Sequence, residues 1–424
     1  MKKFILLLFI LTPLFFYGQK KEATKKKKLT IKFSGFVKND IFFDSRQTVA
    51  AREGHFLLYP KEEELDPVGA DINAKANFNM LSIQSRARVL VKGPDVLGAK
   101  LSAFLEGAFF GANGSDANEF RLRHAFVKLT WANNQLLIGQ YWHPLFITHD
   151  FPGTVSFNTG APFTPFSRNP QIRFTHFMGN LRTTVTALSQ RDFASFGPSG
   201  ASSIYLRNAA FPAVNIRLDY DAIDKENKSE MLIGGSINYK SLHPSLATVS
   251  KYKSTSEISS ISYAAYAKYQ TAHFAFKLYG FYGEDAPNLT MIGGYAVHAI
   301  TNTTTNEVSY TAFKTASTWV ETYYKKNNWQ MGIFLGYSKN LGANDTIGGT
   351  VYSRGYNIAN LYRIAPRLIL NYGKFRIAPE IEYTVASYAT KDNLGRLNID
   401  NHGVVTDSKS VGNLRLLVGV YYFF

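Results

Sequence analysis

From residue 29 to the end of the chain, apolar and polar side chains alternate with a period of two, in short runs bounded by turn residues. Sixteen such runs are legible, at 29–43, 78–92, 99–110, 120–131, 135–142, 171–177, 181–189, 214–220, 231–240, 258–270, 273–282, 309–324, 329–338, 360–372, 374–388 and 411–424. The connections between them alternate in length. Short ones stand at 93–98, 133–134, 178–180, 271–272, 325–328 and 372–373, with long ones between them at 44–77, 111–119, 143–170, 190–213, 241–257, 283–307, 339–359 and 389–410. Only 221–230 is long for its place in that order. Short turns on one rim and long loops on the other predict an all-β protein, a transmembrane antiparallel β-barrel of about 16 strands over residues 29–424. A sandwich or propeller does not segregate its loop lengths in this way.

The start of the chain sharpens the picture. Lys2 and Lys3 precede an apolar run from Phe4 to Leu11, Pro13 breaks it, and a cut after Gly18 is the expected end of a signal peptide over residues 1–18. No later stretch approaches the ~18 apolar residues of a spanning helix, so a membrane crossing falls to strands. Residues 19–28 form a Lys-rich tail, expected to be a solvated periplasmic segment. The 33 Phe and 25 Tyr exceed the needs of a soluble core and suit aromatic girdles at two membrane interfaces. Absence of cysteine removes disulfides, thiolate metal sites and cysteine nucleophiles. The formal charge is +16; less the two leader lysines and about +5 from the tail, roughly +9 stays with the barrel. In an exported barrel that excess points to anions or anionic lipid heads and not to nucleic acid.

Parity assigns side chains to the two faces. Leu414, Leu416, Val418, Val420, Tyr422 and Phe424 share the outward face of the last strand, opposite Arg415. In the second strand Leu81, Ile83, Ala87, Val89 and Val91 oppose Gln84, Arg86 and Arg88. An arginine near the bilayer midplane costs about 2–4 kcal/mol on the lipid face, so these arginines are expected inside. The same test sends Arg173, Arg182, Arg217, Lys268, Arg363, Arg367 and Arg376 inward, with Glu106, Asp219, Glu380 and Glu382 as inward acids. Arginines then outnumber acids roughly two to one. Arg121 and Arg123 break the rule by sharing parity with Ala125, Val127 and Leu129, which a β-bulge or a position above the membrane band would repair. Two readings stay open: arginines and acids pairing to fill the interior, or an arginine-lined lumen that draws anions by a focused field. The loop at 143–170 carries five prolines and is either a surface loop or a constriction folded into the lumen, with His143, Asp150 and Arg168 as its polar candidates.

The order of four motifs resembles the DcaP-like outer-membrane porins and their Bacteroidetes relatives: IQSRARV at 83–89, GPDVLGAKLSAFLEGAFFG at 93–111, FRLRHAFVKL at 120–129 and LLIGQYWHPLF at 136–146. The likeness covers about the first third of the chain closely. It implies a homotrimeric sixteen-stranded barrel in the Gram-negative outer membrane, in contact with its lipid and lipopolysaccharide, passing small anionic solutes such as dicarboxylates. In that class the terminal aromatic, here Phe424, is what the barrel-assembly machinery recognises. The chain departs from the pattern in two places: KKEATKKKK is too short and like-charged for an N-terminal coiled coil, and Ala108 follows Glu106 and Gly107 where the family has an acidic residue.

Other functions fit less well. A barrel enzyme such as a lipase needs a Ser/His or Asp/His set at the rim; His124, His143, His149 and His176 lie near strand ends with Asp150 and Ser156, but no G-x-S-x-G occurs. The DAIDKENKSE segment lacks calcium-loop spacing, and no phosphate-binding fingerprint is present, so no metal or cofactor is expected. A plugged receptor would need a large N-terminal domain, and a fatty-acid channel a hydrophobic lumen. A non-channel barrel acting as an adhesin or structural anchor stays open.

Overall fold

The computed structural model describes residues 28–111 and 118–424. The expected signal peptide and, apart from Lys28, the Lys-rich tail lie outside the described residues. The first half of the wall is β1 (Thr30–Asp44), β4 (Asn77–Leu81) with β5 (Arg86–Lys92), β6 (Lys100–Ala108), β7 (Arg121–Thr130), β8 (Asn134–Trp142), β9 (Arg168–Met178) and β10 (Leu181–Leu188). It continues as β11 (Ala213–Asp224), β12 (Ser229–Leu242), β13 (Ile258–Gln270) and β14 (Phe274–Glu284). The last strands are β16 (Glu307–Lys326), β17 (Trp329–Ala343), β19 (Ile358–Tyr372), β20 (Phe375–Ala389) and β21 (Ser408–Phe423). Four further strands belong to loops: the hairpin β2 (Thr48–Ala51) with β3 (Phe56–Pro60), and β15 (Gly293–Asn302) with β18 (Val351–Arg354), which extend the wall above β16.

Every pairing is antiparallel and between wall neighbours, and β1 closes the sheet on β21 from Phe36↔Phe423 to Asp44↔Arg415. Counting β4 and β5 as halves of one strand, the wall is a closed barrel of sixteen strands. All sixteen runs read from the alternation are present. The doubtful 221–230 connection shrinks to residues 225–228, because β11 and β12 run on past the apolar pattern into a polar hairpin. Among the described residues no helix is long and apolar enough to cross a membrane.

The period of two sets the two faces. Along β13 buried and exposed residues alternate from Ile258 onwards, and on β21 Leu414, Leu416 and Tyr422 face out while Asn413, Arg415 and Leu417 are buried. One inferred face is corrected. The second wall strand breaks at residues 82–85, where four residues stand opposite three of β1, so parity flips across the break. Ile83, expected on the lipid face, is therefore buried among the lumen side chains.

Those lumen side chains are packed by loops. The long loop after β8, residues 143–167, turns into the barrel, and most of it is buried. The β2–β3 hairpin and a 3-10 turn at Pro287–Leu289 enter beside it. Phe56, Leu58, Phe110, Phe146, Phe157, Phe163, Phe166 and Met291 form one apolar cluster with wall residues such as Trp319 and Phe334. Each aromatic buried this way stabilises the inward fold by about 1.5–3 kcal/mol. A polar lumen was the expectation; a polar wall around an apolar loop core is what the chain builds.

Candidate functional site

The inward positions of β16 to β21 hold the loops. Glu380 accepts the backbone N–H groups of Val155 and Ser156, each at 2.8 Å. Glu321 accepts Gly153 N–H and pairs with Lys277 at 2.9 Å and Arg367 at 3.3 Å. Arg363 pairs with Glu382 at 2.8 Å and donates to the carbonyls of Ala161 (2.7 Å) and Leu58 (2.8 Å), so one guanidinium ties two loops to the wall. Arg415 pairs with Asp44 at 2.6 Å and donates to Gly54. All these wall groups are sealed from solvent except Lys277, which is nearly so. Arg363, Arg367, Glu380 and Arg415 thus face inward but lie beneath loops, away from water.

The opposite wall, β5 to β9, is built differently. Arg88 and Arg123 share Glu106, and Arg121 and Arg168 share Asp192 (2.6 and 2.7 Å). Arg86 lies over the Phe36 ring at 5.2 Å, and its Nε has no hydrogen-bond partner. Four arginines therefore contact one wall carboxylate and one loop carboxylate while Arg86 beside them contacts neither; Arg123 and Arg168 are buried, and the Arg88 side chain is 33% exposed. Arg123 reaches this cluster through a register shift between Glu106/His124 and Gly107/Leu122, a bulge, which is one of the two repairs open to its parity. Arg173 continues the row without an acid of its own; it lies over Tyr141 at 5.2 Å and donates to the Trp142 carbonyl.

Three of the remaining candidates, on β10, β11 and β13, fall between these walls. Arg217 meets Asp219 at 3.1 Å, Arg182 meets Asp221 at 3.0 Å, and Lys268 meets Glu230 at 2.8 Å. Arg376 is half-buried near the short-turn rim, donating to Asn371 and lying over Phe423 at 5.1 Å. Gln84 sits in the β4–β5 break, where it accepts from Lys38. Phe424 is exposed, and its backbone pairs with Gly35. In the inward loop His143 is buried, and burial together with Arg173 and Lys240 lowers its pKa to about 3, which keeps the ring neutral. Asp150 is buried with neither carboxylate oxygen hydrogen-bonded, and burial raises its pKa to about 7.

Sequence reading missed several acids. Glu321 and Asp40 stand at inward parity on β16 and β1, a signal that was there to use; Asp192 and Asp285 come from loops, where parity says nothing. Their presence corrects the expected excess: arginine does not dominate the lumen two to one, and the surplus is concentrated on β5–β9. The oxygen and nitrogen ligand atoms of His149, Asp221 and Glu230 lie within 4.8 Å of one another, but Asp221 and Glu230 are already paired with Arg182 and Lys268. That pairing disfavours a cation there.

The profile of the family described as DcaP outer membrane protein matches residues 20–232. The outer membrane channel DcaP of Acinetobacter baumannii has a similar fold, with TM-score 0.66 at 14% identity, covering 95% of this chain and 100% of that one. An anion-selective porin from Comamonas acidovorans superposes with TM-score 0.53 at 10% identity, covering 94% of this chain and all of its own. The trimer form of OmpT from Vibrio cholerae gives 0.51 at 11% identity, with 94% and 100% covered. No curated protein sequence matches.

Proposed function

The chain belongs to the DcaP outer membrane protein family and is an outer-membrane β-barrel of the porin fold, and from that premise we propose that it is a diffusion channel for small hydrophilic solutes that prefers anions. The observation that carries this reading is the β5–β9 wall, where Arg88, Arg121, Arg123 and Arg168 share only Glu106 and Asp192 and Arg86 beside them contacts neither. A cationic strip backed by low-dielectric wall concentrates anions in the adjoining solvent. Two guanidinium groups presented side by side also suit a solute with two carboxylates, which makes dicarboxylate-like compounds the favoured substrate class. The inward loop at 143–167 sets the constriction, the long loops face the exterior, and the working unit is a homotrimer, as in the OmpT trimer form. Phe424 is the assembly signal.

Recording from single channels of the purified protein in a planar bilayer tests this. Stepwise openings in threes, with a reversal potential on the anion side under a potassium chloride gradient, support the reading; cation preference refutes it. A second reading has its own support, since the apolar loop cluster fills much of the lumen. A silent bilayer favours that reading, a plugged barrel serving as adhesin or anchor.

A further inference from the structure

The lipid-facing surface is not uniform. Over β14, β16, β17, β19 and β20 it carries an open groove of about 570 Å³. Its outward lining is Phe274, Tyr324, Met331, Ile333, Pro366 and Pro379, with Thr322, Leu368 and Ile381 completing it. Elsewhere on these strands the outward positions hold large residues such as Phe276, Leu278, Leu335, Tyr362, Ile364 and Tyr383. At the groove, threonine and two prolines stand in their place, and the surface sinks. The prolines also lack N–H groups. The β19–β20 ladder thins beside them: between Ile364↔Tyr383 and Leu370↔Ile377 it retains only Arg367↔Glu380.

The groove is oblique. At β14 and β16 it begins one to a few residues from the short turns, at Phe274 and Tyr324, and at β20 it ends at Pro379 and Ile381, several residues deeper. Across five strands it is about 19 Å wide. The rim above its shallow end is basic. The three consecutive turns of this sector carry His273, Lys325, Lys326 and Lys374 and no Asp or Glu, whereas the β11–β12 turn mixes Lys225 and Lys228 with Glu226. The Tyr324 ring lies 5.7 Å from Trp329 and 6.3 Å from His273, an aromatic shelf at the level where headgroups sit.

We infer that this groove is a binding site for one anionic glycerophospholipid, its acyl chain against Pro366 and Pro379 and its phosphate at Lys326, which shares the outward face of β16 with Thr322 and Tyr324. The inference rests on the short turns facing the periplasmic leaflet, where such lipids reside; channel activity is not required for it. Apolar lining supplies a chain site, and the charge of the rim selects the headgroup.

Native mass spectrometry of the full protein in detergent, titrated with phosphatidylglycerol or phosphatidylethanolamine, tests it. One phosphatidylglycerol per protomer is expected to survive activation conditions that strip phosphatidylethanolamine. Lys326→Gln is expected to weaken phosphatidylglycerol by about fivefold while leaving phosphatidylethanolamine unchanged. Thr322→Trp, which fills the groove, is expected to remove the retained lipid; heat-modifiable gel mobility reports that each variant still forms a barrel. Equal retention of the two lipids, or phosphatidylglycerol binding that neither variant changes, overturns the inference. So does Thr322→Trp breaking the oligomer with lipid retention intact, which assigns the groove to a neighbouring copy. Co-purification of lipopolysaccharide at this site, displaced by neither phospholipid, overturns it as well.

Discussion

On the β16–β21 side of the lumen, Arg363 and Arg415 each have a carboxylate, a loop carbonyl and no solvent, whereas on the β5–β9 side four arginines divide two carboxylates, Arg86 contacts neither and Arg88 stays partly wet. The same side chain serves two ends. Where loop backbone supplies carbonyls and the wall supplies an acid to each, arginine becomes a clamp; where arginines outnumber the acids and one of them, Arg88, reaches solvent, part of the charge is left to act on what fills the solvent beside it. Inward parity cannot separate these cases, because both kinds of arginine point the same way. What separates them is the loop that folds over them.

Removing a clamp is the severest way to break the contrast. Arg363→Ala leaves Glu382 buried without its partner and two loop carbonyls without a donor, an expected loss of about 3–5 kcal/mol. Its signature is a lower heat-modifiability midpoint together with larger, noisier conductance as the inward loops loosen. Glu380→Ala frees two backbone N–H groups of the inward loop and is expected to cost about 2–3 kcal/mol of loop docking. Faster hydrogen exchange at Val155 and Ser156, with the wall strands unchanged, reports it.

Asp150 offers a reversible test between the walls. Its carboxyl is buried without hydrogen bonds, so the folded state favours the protonated form, with a pKa raised from 3.8 to about 7. A carboxyl raised on folding binds more protons in the folded state across that window, so loop docking weakens as pH rises from about 4 to about 7 and is level beyond it. Asp150→Asn removes that dependence and is expected to hold the loop about 2 kcal/mol more firmly at pH 8. Amide protection factors for the segment around Phe151, compared at pH 4 and pH 8, carry the sign. Smallest in stability is Arg88→Ala on the open wall: its pair is partly exposed, so the cost is expected below about 1 kcal/mol, read as an unchanged midpoint.

The chain's alternation made the wall legible because strand pairing in a barrel is a local rule repeated. Sixteen runs become sixteen strands, and of the two repairs open for the parity conflict at Arg123 the bulge is the one present. Ile83 shows the limit of that rule: one extra residue at 82–85 inverts the face of everything before it, and no period of two announces the insertion. Inward loops were half legible. The prolines of 143–170 argued for a stiff segment but not for its direction, since the partners that draw it in, Glu321, Glu380 and Glu382, are more than 150 residues away in sequence. The inward β2–β3 hairpin was not foreseen, because its apolar FLLYP run reads equally well as a strand of the wall.

The central claim is that selectivity resides on the β5–β9 wall while the β16–β21 wall only holds the loops. The measurement that meets it most directly is the reversal potential under a potassium chloride gradient for the wild type, Arg86→Ala/Arg88→Ala and Arg363→Ala. The account predicts anion preference in the wild type, its loss in the double variant with single-channel amplitude kept, and its retention in Arg363→Ala despite altered conductance. An unchanged reversal potential in the double variant, or an equal fall in both, contradicts it.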